Sequence, residues 1–175
     1  MRKFRLGPAA EVEPLVFGAQ GPAYSSLRIN EWIAYMQEQG IQRVCCLLHE
    51  VQLKAYKEDL LAAYGQAFGH ENVCWAPIPD YHLCDVGLLK ARILPFLKES
   101  AANGSPVVVH CQGGRGRAGH VLAAWLVCGR GLAVEDAVAA VKVMGRNPHE
   151  AADWGNAKPE DLYLLLEACQ EGPMV

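Results

Sequence analysis

Apolar and polar positions alternate along the chain in blocks that predict short strands separated by helices. Short, largely apolar segments predict strands at 12–18, 43–48, 73–78 and 106–110. Apolar residues at helical spacing predict helices at 31–39, 53–68, 86–102, 117–128, 134–144 and 159–170. This alternation predicts an α/β fold with a central, mostly parallel sheet flanked by helices.

Turn and capping residues refine these boundaries. Asn30 can cap the N-terminus of the helix over 31–39, and Gly40 can end it. The helix over 86–102 is predicted in spite of Pro95 near its middle. Three consecutive valines at 107–109 suit a strand that is covered on both faces.

The polar, turn-rich stretch that holds Asn147, Pro148 and Asn156 admits two interpretations. It is a plain connector, or it braces a loop of the functional site. Turn-rich stretches between periodic segments are usually connectors, so we favour the first interpretation.

Composition narrows the class of protein. A chain of 175 residues with 51 % apolar and 20 % charged residues suits one globular domain, residues 1–175. A net charge of −3 argues against binding to nucleic acid or to an anionic membrane surface. The longest apolar run, 121–128, is too short for a membrane span, and no signal peptide is evident.

Seven cysteines without a C-x-x-C pair resemble neither a disulfide framework nor a structural zinc site. Reduced thiols of this kind are typical of the cytoplasm. We therefore expect a cytoplasmic protein, and we expect it to be a monomer.

The segment His-Cys-Gln-Gly-Gly-Arg-Gly-Arg-Ala-Gly at 110–119 carries the chemistry. A glycine-rich turn between a strand and a helix start is an anion cradle, because backbone N–H groups can point inward. Arg117 offers a planar fork that matches two phosphate oxygens. Cys111 at the lip of the cradle is a nucleophile, since a helix N-terminus and nearby cations favour a thiolate. The residues predicted to bind phosphate are Gln112, Gly113, Gly114, Arg115, Gly116 and Arg117.

A phosphate ester also needs a proton donor for its leaving group, and a carboxyl group on a neighbouring loop can supply it. Asp80 follows the strand predicted at 73–78, and Asp85 is its rival on the same stretch. His110 is expected to support Cys111, and His120 to be a local neighbour. The loop supplies the positive potential itself, so we expect no metal and no cofactor.

The pattern His110-Cys111-x-x-Gly114-x-x-Arg117 resembles the signature of the cysteine-dependent protein tyrosine and dual-specificity phosphatases. Ile78-Pro79-Asp80 resembles the general-acid loop of that family. Further similar segments are Gly40-Ile41-x-x-Val44 and Gly131-Leu132-x-x-x-Asp136-Ala137, and the size suits the compact, atypical dual-specificity branch. The resemblance implies the phosphatase fold, phosphorylated protein substrates, Cys111 as nucleophile, Arg117 as phosphate clamp and Asp80 as general acid.

The loop departs from the family pattern at two positions. Most members carry Ser or Thr after the arginine, and its hydroxyl assists breakdown of the phosphoenzyme, whereas this chain has Ala118, as the phosphatases of regenerating liver do. We therefore expect slow hydrolysis of phosphocysteine. Arg115 stands where lipid phosphatases of the phosphatase-and-tensin type carry lysine, so phosphoinositides or other polyanionic esters are an alternative substrate class.

Other interpretations of the same residues remain. Residues 114–119 match the G-x-G-x-x-G dinucleotide fingerprint, but an acidic strand end about 20 positions on is missing and Cys111 would be unexplained. A sulfurtransferase would need neither Asp80 nor the spacing to Arg117. A phosphate-binding module with little turnover is a further alternative. A disulfide between Cys111 and another cysteine is left open, with Cys45, Cys46 and Cys84 as the candidates.

Overall fold

The computed structural model describes residues 2–170 and has a five-stranded sheet at its centre. The strands are β1 (Gly7–Pro8), β2 (Val16–Gln20), β3 (Arg43–Cys46), β4 (Val73–Trp75) and β5 (Val107–Cys111). Their order in the sheet is β1-β2-β5-β3-β4, with β1 antiparallel to β2 and the other pairs parallel. The prediction of an α/β fold with a mostly parallel sheet is confirmed.

Helices cover both faces of this sheet. They are α1 (Ser26–Glu38), α2 (Glu50–Leu53), α3 (Leu60–Phe68), α4 (Val86–Leu88), α5 (Leu94–Ala102), α6 (Gly116–Arg130), α7 (Val134–Val143), α8 (Glu150–Asp153) and α9 (Asp161–Gln170). One core contains the apolar side chains of α1 and α3, and the other contains those of α5, α6, α7 and α9. Val107 and Val109 of β5 belong to the second core and Val108 to the first, as expected of a strand buried on both faces.

The central place of β5 determines where a ligand can bind. Its parallel neighbours are β2 and β3, so the carboxyl end of β5 lies in the middle of one sheet edge. Ligand sites in such sheets form at the carboxyl ends of strands. The loop that follows Cys111 emerges at this edge.

No helix within residues 2–170 combines the length and apolar character that crossing a bilayer requires.

Two predicted boundaries near the N-terminus are wrong. The strand begins at Val16 rather than at residue 12, because the Glu13 carboxylate accepts hydrogen bonds from the N–H groups of Leu15 and Val16 (3.0 and 3.1 Å) and forms a turn there. The first helix begins before Asn30. Its N-cap is Ser25, whose hydroxyl accepts a hydrogen bond from the backbone N–H of Arg28.

Two helical predictions are modified in detail. The periodic stretch 53–68 is split into α2 and α3, because Asp59 caps a new helix through the N–H of Ala62. The stretch 86–102 is continuous, as predicted, but it contains a π-helical segment at Leu89–Ile93 between α4 and α5. Pro95 lacks the N–H that a regular helix needs, and the wider turn before it accommodates that loss.

Candidate active site

The loop after β5, residues 111–117, forms the floor of the site and is called the phosphate loop below. Cys111 is 2 % exposed, and its Sγ accepts a hydrogen bond of 3.2 Å from the backbone N–H of Gly114. Helix α6 begins within the loop at Gly116, so its N-terminus lies beside the thiol. The Cys111 thiol therefore lies at the floor of the loop, where a bound phosphate would meet it together with the backbone N–H groups that begin α6.

A buried arginine that the sequence analysis did not single out holds the phosphate loop in shape. Nη1 of Arg146 donates to the carbonyl oxygen of Gly114, and Nη2 donates to that of Gly18 in β2 at 2.8 Å. The backbone N–H of Asn147 donates to the carbonyl of Arg115. The turn-rich stretch that holds Asn147 and Pro148 therefore braces the phosphate loop, and its interpretation as a plain connector is wrong.

His110 connects the start of the phosphate loop to the hydroxyl of Tyr64 in α3. Its Nε2 lies 3.0 Å from the hydroxyl of Tyr64, and its Nδ1 lies 3.2 Å from the carbonyl oxygen of Cys111. That carbonyl also accepts a hydrogen bond from the N–H of Gly21 at 2.8 Å. Burial lowers the pKa of His110 to about 4, so the imidazole is neutral at pH 7.

His120 joins the phosphate loop to the segment that carries Asp80. Its Nε2 accepts a hydrogen bond of 3.0 Å from the N–H of Cys84, so the proton of the neutral ring is on Nδ1, which donates to the carbonyl of Gly116. Burial lowers the pKa of His120 to about 4 as well. The expectation that His120 is a local neighbour understated its role.

These two histidines make a stability prediction with a defined sign. Their pKa values of about 4 in the folded protein lie below the value of 6.5 of a free histidine, so the unfolded chain binds protons first as the pH falls. The free energy of unfolding should fall by about 2 kcal/mol per histidine between pH 7 and pH 5. Most carboxyl groups stay ionised in this pH range, so they contribute little to the change.

Urea unfolding at the two pH values measures this effect. The variant His120→Gln should retain about half of the decrease, because only one of the two buried imidazoles remains. A free energy of unfolding that is constant from pH 7 to pH 5 in the wild type would contradict the prediction.

The Asp80 carboxyl forms an ion pair with Arg117 of the phosphate loop. Oδ1 of Asp80 lies 3.0 Å from Nη2 of Arg117, whose side chain is 2 % exposed. Nη1 of Arg117 donates to the carbonyl of Ile78 at 3.0 Å and to Oε1 of Gln52 at 2.6 Å. The rival, Asp85, instead caps α4 by accepting a hydrogen bond from the N–H of Leu88.

These groups enclose a cleft of about 190 Å³. Its lining residues are Asp80, Tyr81, Cys111, Gln112, Gly113, Arg115, Gly116, Arg117 and Glu150. Oε1 of Gln112 is buried without a hydrogen-bond partner among residues 2–170. A thiol, a guanidinium and a carboxyl group on one small cleft can attack, bind and protonate a phosphate ester.

A family model described as "Polymorphic toxin system, DSP-PTPase phosphatase" matches residues 18–130, which include the end of β2, Asp80 and the entire phosphate loop. The chain belongs to this DSP-PTPase phosphatase family. It is therefore a cysteine-dependent phosphatase, and the resemblance inferred from the sequence is confirmed. None of the curated proteins matches the chain.

Solved phosphatase structures share the fold over nearly the whole chain. Tk-PTP in the active form is 26 % identical, with 93 % of this chain and 97 % of that chain covered and a TM-score of 0.67. PTPMT1 in complex with PI(5)P is 14 % identical, with 93 % and 97 % covered and a TM-score of 0.68. P. aeruginosa TpbA in complex with pTyr is 15 % identical, with 94 % and 91 % covered and a TM-score of 0.57.

In this DSP-PTPase phosphatase, all the residues that the sequence analysis placed in the site lie in or beside the cleft. Cys111, Arg117 and Asp80 converge on it, and Arg115 is exposed at its mouth. Ala118 is buried directly behind the loop. The chemical roles of these residues remain predictions.

The sequence analysis missed a second carboxyl group in the cleft of the phosphatase. Glu150 of α8 lies so close to Gly116 that a side chain at residue 116 would collide with its carboxylate. Burial raises the pKa of Glu150, and the negative charge of Asp80 raises it further, while Arg115 and Arg117 oppose the shift. Glu150 can therefore hold a proton more readily than an ordinary glutamate.

Proposed function

We propose that this phosphatase hydrolyses phosphotyrosine in proteins, and accepts phosphoserine and phosphothreonine, through a phosphocysteine at Cys111. The convergence of the Cys111 thiol, the Arg117 guanidinium and the Asp80 carboxyl on one cleft is the observation that carries this proposal. The thiol supplies the nucleophile, the guanidinium binds the phosphate, and the carboxyl group supplies the proton for the leaving group. The seven free thiols support a cytoplasmic enzyme, and we propose that it acts as a monomer.

The reaction consists of two steps. In the first, the Cys111 thiolate forms an S–P bond while the P–O bond to the leaving group breaks, and the protonated carboxyl of Asp80 gives its proton to the leaving oxygen. Arg117 and the loop N–H groups bind the phosphoryl oxygens. In the second step, Asp80 takes a proton from water, which attacks phosphorus and releases phosphate from Cys111.

The lining of the cleft favours an aryl ester over a polyanion. Tyr81 contributes an aromatic ring beside the reacting groups. The carboxyls Asp80 and Glu150 stand in the same cleft as the guanidinium groups Arg115 and Arg117, so the lining is not the uniformly basic surface that a polyanion favours. Phosphoinositides are the second candidate because Arg115 is exposed at the mouth, where it can contact an additional phosphate group.

Comparative kinetics test this proposal. We expect kcat/KM for a phosphotyrosyl peptide to exceed that for a short-chain phosphatidylinositol phosphate by about tenfold or more. A faster reaction with the phosphoinositide, reduced by Arg115→Gln, would favour the second candidate. Binding of both ligands without turnover would identify a phosphate-binding module.

A further inference from the structure

The loop that carries Asp80, residues 76–85, is called the acid loop below. The tip of this loop has an unusual backbone conformation at Tyr81. Tyr81 has φ of 60°, in the left-handed region that residues other than glycine rarely adopt. Its N–H donates a hydrogen bond of 3.0 Å to Oδ1 of Asp80, so the backbone at Tyr81 and the position of the carboxyl group are linked. Such a conformation persists where surrounding contacts enforce it.

Two side chains that follow α8 supply these contacts. The ring of Trp154 stacks on the ring of Tyr81, with 4.2 Å between the centroids and 29° between the planes. Nδ2 of Asn156 donates a hydrogen bond of 2.9 Å to the carbonyl of Tyr81. Trp154 is 62 % exposed and does not line the cleft, so it contacts Tyr81 from the protein surface.

The two ends of the acid loop are anchored independently of this tip. At one end, the N–H of Ile78 donates to the carbonyl of Leu47 at 3.1 Å. At the other end, the N–H of Cys84 donates to His120. Between them, the N–H of His82 donates to the carbonyl of Pro79 at 3.1 Å, and Nδ1 of His82 lies 2.8 Å from the carbonyl oxygen of Asp80. These contacts close a turn within the tip, and the contacts of Tyr81 join that turn to the rest of the protein.

The main polar contact of Asp80 competes with substrate. Its carboxyl lies 3.0 Å from the Arg117 guanidinium, which a bound phosphate also requires. A phosphate bound to the guanidinium would displace this contact of the Asp80 carboxyl. The contacts that Trp154 and Asn156 make with Tyr81 do not involve Arg117, so they do not compete with phosphate for the guanidinium.

We propose that Trp154 and Asn156 are positioning residues that clamp Tyr81 and thereby hold the Asp80 carboxyl at the leaving oxygen. The proposal rests on the proposed function, because it concerns the proton that Asp80 gives up as the P–O bond breaks. Trp154 and Asn156 touch neither phosphorus nor the leaving group. Trp154 and Asn156 therefore affect the reaction rate only through the position of the Asp80 carboxyl.

The dependence of kcat/KM on the leaving group isolates this effect. 2,4-Dinitrophenolate departs without a proton, whereas phenolate needs one, so phenyl phosphate reports on the acid and 2,4-dinitrophenyl phosphate does not. We expect Trp154→Ala and Asn156→Ala to slow phenyl phosphate about tenfold and 2,4-dinitrophenyl phosphate less than about twofold. Trp154→Phe, which keeps a ring for stacking, should restore the phenyl phosphate rate.

Two controls make the comparison specific. Leu164→Ala removes an equally exposed apolar side chain from α9 and should change neither rate. In an Asp80→Asn background, Trp154→Ala should cause no further loss with phenyl phosphate, because the group it positions is gone.

Three results would overturn the clamp. The first is an equal loss on both esters in Trp154→Ala, which would indicate a role in binding or folding. The second is no loss on either ester. The third is an undiminished effect of Trp154→Ala in the Asp80→Asn background. A wild-type enzyme inactive on both esters would instead refute the proposed function, and the clamp with it.

Discussion

Replacing Cys111 by serine is expected to lower hydrolysis of 4-nitrophenyl phosphate by at least about 10⁴-fold. A serine hydroxyl stays protonated in this site, because the imidazole of His110 contacts Tyr64 and the Cys111 carbonyl rather than Sγ. In rapid-quench experiments the wild type should release a burst of nitrophenol and then turn over slowly, since Ala118 provides no hydroxyl for the second step. Cys111→Ser should give neither phase.

Ala118→Ser is the matched control for the second step. A restored hydroxyl should raise the steady-state rate and reduce the burst. Residual activity of Cys111→Ser within about tenfold of the wild type would contradict a cysteine nucleophile. A wild type that acts on thiosulfate-like donors alone would point to sulfur transfer.

Gly114→Ala should both inactivate and destabilise the enzyme. Gly114 has φ of 72°, and a Cβ there would lie 2.5 Å from the backbone nitrogen of Gln20 and 2.7 Å from the carbonyl carbon of Ala19. The loop would have to move away from β2. We expect the free energy of unfolding to fall by about 2 kcal/mol or more and kcat/KM to fall about 100-fold.

The neighbouring glycine provides the control in this case. A Cβ at Gly113 would meet nothing within 4 Å, and its φ is not in the left-handed region. Gly113→Ala should therefore keep the stability of the wild type, as measured by urea unfolding. Equal losses of stability in the two variants would show that steric contact with β2 is not the cause.

The parts of the site that the sequence predicted are those set by local chain geometry. A strand that ends at Cys111 and a helix that starts at Gly116 leave few conformations for the four positions between them, so Cys111 and Arg117 must face the same anion. Asp80 could be predicted because it follows a parallel strand whose carboxyl end lies at the same sheet edge.

The missed residues act over long sequence separations and have no spacing that marks them. Arg146 donates to backbone carbonyls, which every residue has. The sequence therefore contains no acidic or polar partner from which this contact could be predicted. Gln52, which contacts Arg117, and Glu150, which lines the cleft, belong to two four-residue helices that are too short to produce a periodic pattern. Their positions follow from the tertiary packing alone.

Errors in element boundaries have a similar origin. Both Ser25 and Asn30 are suitable N-caps. The earlier start brings Ile29 into the helix, where its side chain is buried in the core. The apolar spacing at 53–68 stays in phase across the break before α3, so periodicity could not reveal the interruption at Asp59.

The guanidinium of Arg146 also has a consequence for how this molecule opens. Besides Gly114 and Gly18, its Nη2 contacts the carbonyl oxygens of Arg5 and Gly7, so one side chain joins the phosphate loop, β2 and the N-terminal strand. Segments that share such a buried donor open together rather than singly. Backbone amides of the phosphate loop should therefore exchange with deuterium in the same cooperative unit as β1 and β2, although loop and terminus are distant in sequence.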